Sequence, residues 1–404
     1  MREVPIAFRL SRRRAWLIAL CALGSCGRAE RTGREPGAAG WKVAMEPTVS
    51  VGAVGAGASM AFHQIGMAAR LSDGRIVVAD GGLRSRLTLL APDGDSLGTI
   101  GRYGEGPGEY EWITSLQAGA HDSIYVFDAA QQRLTTFSGD GRVGRTATYR
   151  DAGTGMLRSV SRLADGVWFG RGLDRPLQGP VNEIVRDTIS VGLLDGALSG
   201  LEPLTRLPTS MSTTLSVHGR VLFGSAPFSP RAQAATWGRC AFVSSAEDPT
   251  IDVYSATGER VAKLRIPGTR RPVSAEDVRA LVQTRLDRAS TREDTAIAAA
   301  FGEAPHPEYL PYINQMVVDQ WGNIWLEEYS PPHGSGGQWH VVAQSGLDMG
   351  VVAMPPRLGV FEISEDGVLG ATTGDFGEPL VVVLPLVARS GEGGSAMPEC
   401  RSGP

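Results

Sequence analysis

Short stretches of alternating apolar and polar residues dominate the chain from about residue 41 onward. In the recurring unit, an Asp-Gly turn or a similar pair precedes four to six alternating apolar residues. Its copies are "SDGRIVVAD" (72–80), "HDSIYVFD" (121–128), "ADGVWFGR" (164–171), "TWGRCAFVS" (236–244), "QWGNIWLEE" (320–328) and "EDGVLGATT" (365–373). Each copy predicts a hairpin turn that leads into a β-strand.

A second unit, made of a strand, a Gly-containing turn and another strand, follows most of these copies. Its clearest forms are "LTLLAPDGDSLGTIG", "RLTTFSGDGRVGRTATY", "TIDVYSATGERVAKLRIPG" and "WHVVAQSGLDMGVVAM", and "TISVGLLDGAL" is a weaker form. The two units together predict four-stranded antiparallel sheets that repeat roughly every 45 residues, as in a β-propeller. Because the repeats lack the helical periodicity of 3.6 residues, a solenoid of helical repeats is excluded.

The repeat predicts an all-β fold, a six-bladed β-propeller over residues 41–390. Seven blades are an alternative, since "HGRVLFGS" (218–225) also reads as a turn and a strand. We favour six because the irregular "APFSP" follows that segment, which then extends blade 3 as an added hairpin. We also expect "PLVVVLPLV" of the last blade to pair with the N-terminal "WKVAMEPTVSVG", because an open blade edge would pair with other chains.

One segment departs from the strand pattern, "VSAEDVRALVQTRLDRASTREDTAIAAAF" (273–301). Ser274 is an N-cap candidate with Asp277 three residues later, and Val278, Leu281, Val282 and Leu286 have helical spacing. The segment therefore predicts one or two helices inserted between blades 4 and 5. They either cover one face of the propeller or form a lid or a docking element.

The N-terminal residues predict a targeting signal and are not counted as part of the fold. Arginines at 9 and 12–14 precede a short apolar run (15–23), which is too short to span a bilayer, and "LGSC" (23–26) follows. "LGSC" resembles the lipobox of bacterial lipoproteins, which implies a signal peptide over 1–25 and lipidation of Cys26. Residues 26–40 predict a flexible tether and residues 391–404 a flexible tail. The alternatives are an ordinary secretory signal or an apolar start of a cytosolic protein.

The net charge limits the class of partner that the chain can bind, and the cysteine content leaves one disulfide open. Removal of residues 1–25 takes away five arginines and one glutamate, which leaves 34 basic and 42 acidic residues and changes the net charge from −4 to −8. An acidic chain is unsuited to nucleic acid, because it has no basic surplus to neutralise phosphates. Cys240 and Cys400 either form a disulfide or remain a buried thiol and a loose tail thiol.

The glycines of "GRYGEGPGEY" (101–110) suggest a phosphate-binding loop. Such a loop needs a helix directly after the glycines, whose amides meet the phosphate. Here Glu105, Pro107 and Glu109 intervene, the next predicted element is a strand, and two carboxylates would repel a phosphate. The loop therefore predicts a close crossing of the backbone from one blade to the next.

The blade repeat, "GEGPGEY" and "NQMVVDQWGNIWLEEY" together resemble the six-bladed β-propellers of bacterial lipoproteins, which are related to the NHL and TolB-like propellers. The resemblance covers about residues 41–390. It implies a membrane-anchored propeller in the cell envelope. Gly27 is not the Asp that commonly retains lipoproteins at the inner membrane, so we expect an outer-membrane position facing the periplasm.

The sequence offers no set of metal ligands or catalytic side chains that would converge on the central channel. Of the six histidines, only His63 is expected where an inner strand opens onto the central channel, and a single histidine cannot make a zinc site. Asn314 is the asparagine that could line the channel, and no full oxygen cage for calcium is identifiable. We expect neither catalytic residues nor a cofactor, with Ca²⁺ or Zn²⁺ required only if the chain is an enzyme.

Aromatic and arginine side chains are expected at the entrances of the inner strands. These residues are His63, Trp112, Arg158, Arg231, Tyr312 and Arg357. They could hold an anionic or peptide ligand through bidentate and stacking contacts, or they could satisfy neighbouring carbonyls. We therefore expect a monomeric, non-enzymatic module that binds a protein, peptide or glycan and reaches the membrane through its lipid anchor only. The alternative is a metal-dependent lyase or lactonase with its site in the channel.

Overall fold

A computed structural model describes residues 40–52, 61–81, 85–150, 155–173, 180–334, 336–388 and 396–401. Strands are numbered along the chain, beginning with β1 (Trp41–Val43) and β2 (Val49–Val51). The first sheet contains β3 (Ile65–Arg70), β4 (Ile76–Asp80), β5 (Arg86–Leu90) and β6 (Ser96–Ile100). A short parallel pair follows, β7 (Arg102–Tyr103) and β8 (Glu109–Tyr110).

The next three sheets follow in chain order. The second contains β9 (Ile113–Ala118), β10 (Ile124–Asp128), β11 (Arg133–Phe137) and β12 (Val143–Thr148). The third contains β13 (Met156–Arg162), β14 (Trp168–Leu173), β15 (Ile184–Leu194), β16 (Glu202–Val217) and β17 (Arg220–Ser225). The fourth contains β18 (Gln233–Trp237), β19 (Cys240–Ser244), β20 (Thr250–Ser255) and β21 (Arg260–Arg265).

Two helices, α1 (Ala275–Leu286) and α2 (Arg292–Glu303), lie between the fourth and fifth sheets. The fifth sheet contains β22 (Ile313–Val318), β23 (Ile324–Glu328), β24 (Gln338–Val342) and β25 (Asp348–Ala353). The sixth contains β26 (Gly359–Ser364), β27 (Gly367–Thr373), β28 (Pro379–Leu384) and the N-terminal β2. The last strand is β29 (Leu386–Ala388), and short 3-10 turns span Ala120–Asp122, Ala164–Gly166 and Pro398–Cys400.

The sheets are arranged in a closed ring. The first strand of each sheet, called its inner strand, contacts the inner strand of the next sheet, and β26 of the sixth sheet contacts β3 of the first. A buried apolar cluster lies between each pair of neighbouring sheets, for example Val77 and Leu87 against Leu116 and Ile124. An all-β propeller is therefore confirmed, and its stability comes from these interfaces between sheets.

The chain termini close the ring, as predicted. Strand β2 pairs antiparallel with β28, with Val49 opposite Val383, and β1 pairs with β29. The Thr48 N–H adds a hydrogen bond to the Val383 carbonyl. This pairing covers the edge that the last sheet would otherwise expose.

The segment 218–225, on which a seventh blade would depend, forms the fifth strand of the third sheet. Strand β17 pairs with the second half of β16, from Ser212 opposite Ser225 to Val217 opposite Arg220. The first half of β16 completes the ordinary four-stranded part of the sheet against β15. The added hairpin that we expected in this region is thus present.

The predicted helical insertion is confirmed as two helices. Ser274 caps α1 through a capping box with Asp277, and Thr291 caps α2 in the same way with Asp294. The stem of the insertion is closed by backbone hydrogen bonds from Val273 N–H to the Glu308 carbonyl and from Leu310 N–H to the Arg271 carbonyl. The start of α2 was not predicted separately, although Thr291 with Asp294 repeats the signal that marks α1.

A disulfide joins Cys240 of β19 to Cys400. Both cysteines are fully buried, the Arg239 N–H bonds to the Cys400 carbonyl, and the Met397 N–H bonds to Gln344 Oε1 in the fifth sheet. Residues 396–401 belong to the segment predicted as a flexible tail, and here they are fixed to the fourth sheet by a covalent bond.

The predicted signal peptide, Cys26 and the predicted tether up to residue 39 lie outside the described residues, as do residues 389–395 and 402–404. Among the helices of the described residues, none has the length and apolar character needed to cross a membrane.

Candidate functional site

The inner strands all begin on the same face of the ring, here called the mouth face. In five of the six inner strands a β-bulge interrupts the pairing with the second strand near this face. The bulged residues are Gly66, Thr114, Arg158, Asn314 and Phe361, whereas the β18 ladder is regular. Bulges redirect side chains and are frequent beside functional sites, so these positions define the rim of the channel.

Buried aspartates fix the backbone at two of these entrances. Asp80, at the end of β4, accepts hydrogen bonds from the N–H groups of His63 and Gln64 at 2.9 and 2.8 Å. Asp128, at the end of β10, accepts from the N–H groups of Glu111 and Trp112 at 2.6 and 3.2 Å. These carboxylates are occupied by backbone amides, and their role is to position the rim.

The central channel has a volume of about 390 Å³ and is lined from the inner strands of all six sheets. Its polar lining consists of hydroxyl and amide side chains, which are Thr114, Ser115, Gln117, Ser159, Ser161, Gln233, Thr236 and Gln315. Among the described residues that line it, Arg171 of β14 is the only charged one. The channel is therefore a polar, electropositive cavity.

Arg171 lies opposite Ser159 in the ladder, and its Nε donates a hydrogen bond to Ser159 Oγ at 2.6 Å. Burial lowers the pKa of the Arg171 guanidinium, and the nearby Arg158 lowers it further. Among the described contacts, neither arginine has a carboxylate partner. An arginine at a protein surface or interior normally satisfies its fork of donors, so this pair offers donors for an anion.

Trp112 and Arg158 are brought together at the rim. The Arg158 guanidinium lies over the Trp112 ring, 4.6 Å from its centroid, and 43% of Trp112 is exposed. This stacking orients Arg158 without neutralising its charge. Of the six residues proposed from the sequence, these two make direct contact, and Arg158 also lies near Arg171.

The other four residues have separate surroundings. The His63 side chain is 80% exposed, with Nδ1 3.5 Å from Asp80 Oδ2. Tyr312 is half-buried, and its N–H donates to the Ala246 carbonyl. Arg231 lies near the half-buried Tyr329, and Arg357 is an exposed turn residue with φ of 63°.

Asn314 and Glu327 form a second polar pair at the rim. The Asn314 Nδ2 donates to Glu327 Oε2 at 2.6 Å, and Glu327 is buried. Burial raises the pKa of Glu327, and the Asn314 hydrogen bond only partly opposes it. Within the described part of the chain, no three histidine, cysteine or acidic residues come close enough to hold a metal ion together.

The loop "GRYGEGPGEY" connects the first two sheets as a crossing, as the sequence predicts. Glu109 Oε2 accepts the Gly106 N–H at 2.7 Å, and Arg102 donates to Oε1. Arg133 donates to the carbonyls of Glu105, Gly106 and Glu109. The place that a phosphate would take is thus filled by the loop's own carboxylate.

Arg171 was missed from the sequence, although a signal for it exists. The equivalent positions of the first two sheets hold Ala79 and Phe127, each opposite the residue after the bulge. A charged residue inside the apolar run "GVWFGRGL" is therefore an exception to the repeat. Glu327, at the equivalent position of the fifth sheet, is the other exception.

No protein-family model matches the chain, and no curated protein sequence matches it significantly. Among solved structures, it is similar to a Bacteroides fragilis protein described as exported, with a TM-score of 0.49, 10% identity, and coverage of 86% of this chain and 95% of the other. A Xanthomonas campestris gluconolactonase gives a TM-score of 0.44, 12% identity, and coverage of 80% and 88%. A streptogramin B lyase gives a TM-score of 0.40 and 10% identity, with coverage of 85% of this chain and 98% of the other.

Proposed function

We propose that the chain is a lipid-anchored, six-bladed propeller of the bacterial cell envelope that binds a protein, peptide or glycan partner without catalysis. The binding site is the mouth of the channel, and the recognised group is an anion, most simply a carboxylate. The observation that carries this proposal is Arg171, the sole charge among the described channel-lining residues.

The physical argument starts from the cost of burying a charge. Arg171 is half-buried in the channel, where a guanidinium without a counter-ion is unfavourable, and the nearby Arg158 increases that cost. An anionic ligand would remove the penalty, because a carboxylate accepts paired hydrogen bonds from an arginine. Ser159 fixes the direction of Arg171, and Trp112 fixes Arg158 at the entrance, so the two guanidinium groups are oriented before the ligand arrives.

The envelope location is supported by two independent features. The "LGSC" segment after an arginine-rich start and an apolar run is the pattern of lipid attachment at Cys26. The Cys240–Cys400 disulfide fits an oxidising compartment, since such bonds are rare in the cytosol. We place the chain at the outer membrane, facing the periplasm, because Gly27 follows Cys26.

A metal-dependent enzyme is less well supported, because the side chains that line the channel are poor ligands for a divalent cation. A divalent cation prefers carboxylates or imidazoles, and the described channel lining offers hydroxyls, amides and one guanidinium. Arg171 would repel such a cation. The Asn314–Glu327 pair at the rim supplies two oxygen-bearing side chains, which is short of a calcium cage.

The test uses trialanine and trialanine amide, which differ only in the terminal carboxylate, and galacturonic acid against galactose. Calorimetric titration should detect binding of the acids and not of the neutral compounds. Arg171→Met should weaken binding about tenfold or more, because a charge-assisted hydrogen bond is lost. Arg357→Met, an exposed arginine apart from the pair, is the matched control and should bind as the natural chain does.

Equal binding of acid and neutral compounds, or unchanged binding by Arg171→Met, would contradict the proposal. Elemental analysis and thermal melts with and without chelator should be run on the same samples. A stoichiometric calcium or zinc ion with a chelator-sensitive melt would favour the enzyme instead.

A further inference from the structure

Strand β17 is the outer edge of the five-stranded sheet, and no strand of the described residues pairs with its free side. Natural proteins protect such edges with lysines, prolines, bulges or covering segments. The β17 sequence "RVLFGS" contains no lysine or proline, and its single charge, Arg220, is engaged in an ion pair with Glu293 of α2. This edge therefore lacks the usual protection against pairing.

The two faces of β17 differ. Arg220 and Leu222 point to the same face, and the Arg220–Glu293 pair places α2 on that side, where α2 also contacts β16. Val221 and Phe223 point to the opposite face and are 65% and 46% exposed. The strand thus presents an apolar pair beside an open backbone edge.

The edge is complementary to itself. In an antiparallel pairing of two copies with Leu222 on the two-fold axis, Val221 of one copy lies opposite Phe223 of the other, twice. Pairs of a β-branched and an aromatic residue are among the favourable cross-strand neighbours. Arg220 then lies opposite Gly224, around which there is open space, so its ion pair with Glu293 is undisturbed.

We propose that two copies of this chain associate through β17, in a symmetric dimer that joins two five-stranded sheets into one. Each copy contributes the same surface, as a two-fold interface requires. This inference is independent of the channel site and replaces the expectation of a monomer.

Cysteine cross-linking tests the predicted register. The full chain with Cys21→Ser and Cys26→Ser has no cysteine outside the Cys240–Cys400 disulfide. Adding Leu222→Cys places two thiols across the axis at a Cα separation of about 5 Å, which suits a disulfide. Mild oxidation should give a covalent dimer, whereas Leu347→Cys, at a 62% exposed turn position, should not.

Light scattering over a concentration series tests the association itself. The natural chain should approach twice its monomer mass, and Val221→Lys should raise the dissociation constant about tenfold or more by placing a charge opposite Phe223. Leu97→Lys, a 55% exposed position on the outer strand β6, is the control and should leave the mass unchanged. A natural chain that stays monomeric, a dimer that survives Val221→Lys, or equal cross-linking by both cysteine variants would overturn the proposal.

Discussion

Two arginines bond to the crossing loop, Arg102 within it and Arg133 on β11, and two lie at the channel mouth, but the two pairs have opposite surroundings. In the crossing, Arg133 donates to three backbone carbonyls and Arg102 pairs with Glu109. At the mouth, Arg171 donates one hydrogen bond to Ser159, and Arg158 rests on Trp112. Arginines that make several bonds to the chain stabilise the fold, whereas arginines with free donors in a cavity are available to a ligand.

Glycine substitutions should separate the two regions most strongly. Gly101, at the start of the crossing, has φ of 62°, and an added Cβ would lie 2.4 Å from the Gly108 carbonyl oxygen. We expect Gly101→Ala to lower the free energy of unfolding by about 3 kcal/mol, through both strain and overlap. Urea denaturation followed by circular dichroism measures it.

Gly66, a rim residue of the mouth, serves as the control. A Cβ there would approach the Ala79 carbonyl oxygen at 3.9 Å, which is ordinary contact. Gly66→Ala should lower the free energy of unfolding by less than about 0.5 kcal/mol, the usual range for an unstrained surface position. Equal losses in the two variants would remove the contrast between a tight crossing and an open rim.

The matched pair Arg133→Met and Arg171→Met tests the contrast between the arginines directly. Arg133→Met removes hydrogen bonds to three carbonyls, of which Gly106 keeps the Glu109 N–H, and we expect the free energy of unfolding to fall by about 2 kcal/mol. Arg171→Met removes a half-buried charge that has no carboxylate partner among the described contacts, so the unfolding free energy should stay equal or rise. If Arg171→Met were the more destabilising change, Arg171 would have a structural role.

The pH dependence gives the smallest effect and should have opposite signs in the two regions. The Gly106 amide and Arg102 hold the pKa of Glu109 below its ordinary value, so its contribution to stability is present at neutral pH and is lost on acidification through that lowered pKa. Burial raises the pKa of Glu327, so folding is favoured below the ordinary glutamate pKa and loses that contribution as pH rises through the raised value.

The corresponding variants are Glu109→Gln and Glu327→Gln. At neutral pH the first should be less stable than the natural chain, and the second more stable. Denaturation midpoints measured from about pH 3 to pH 7 should show the difference from the natural chain shrinking on acidification in both cases. A Glu327→Gln variant that is less stable at neutral pH would show that the ionised carboxylate is favoured there.

The fold could be predicted from the sequence because the features that define a blade depend on residues close together in the chain. Turn residues, strand alternation and the Ser274–Asp277 cap each act within a few residues, and the structure confirms them. Ring closure was also predictable, since a leftover strand and an open edge complement each other. The start of α2 shows that the same rule, applied once more at Thr291, would have located the second helix.

The candidate site was harder to predict from the sequence, because it depends on which side of each strand faces the channel. A bulge changes that side at Arg158 and Asn314, and bulges are not visible in the residue pattern. Trp112 and Arg158 were found from their place at a strand entrance. Arg171 lies on a second strand, so its place in the channel follows only from the three-dimensional register.

Ring closure has a consequence for the export that we propose. Val49 pairs with Val383, although the chain would leave the membrane with its N-terminal end first. The first strand must wait, unpaired, until almost the entire polypeptide has crossed, and the ring cannot lock before then. Until then β2 has no strand to pair with, so on the proposed export route the unfinished ring is exposed to aggregation.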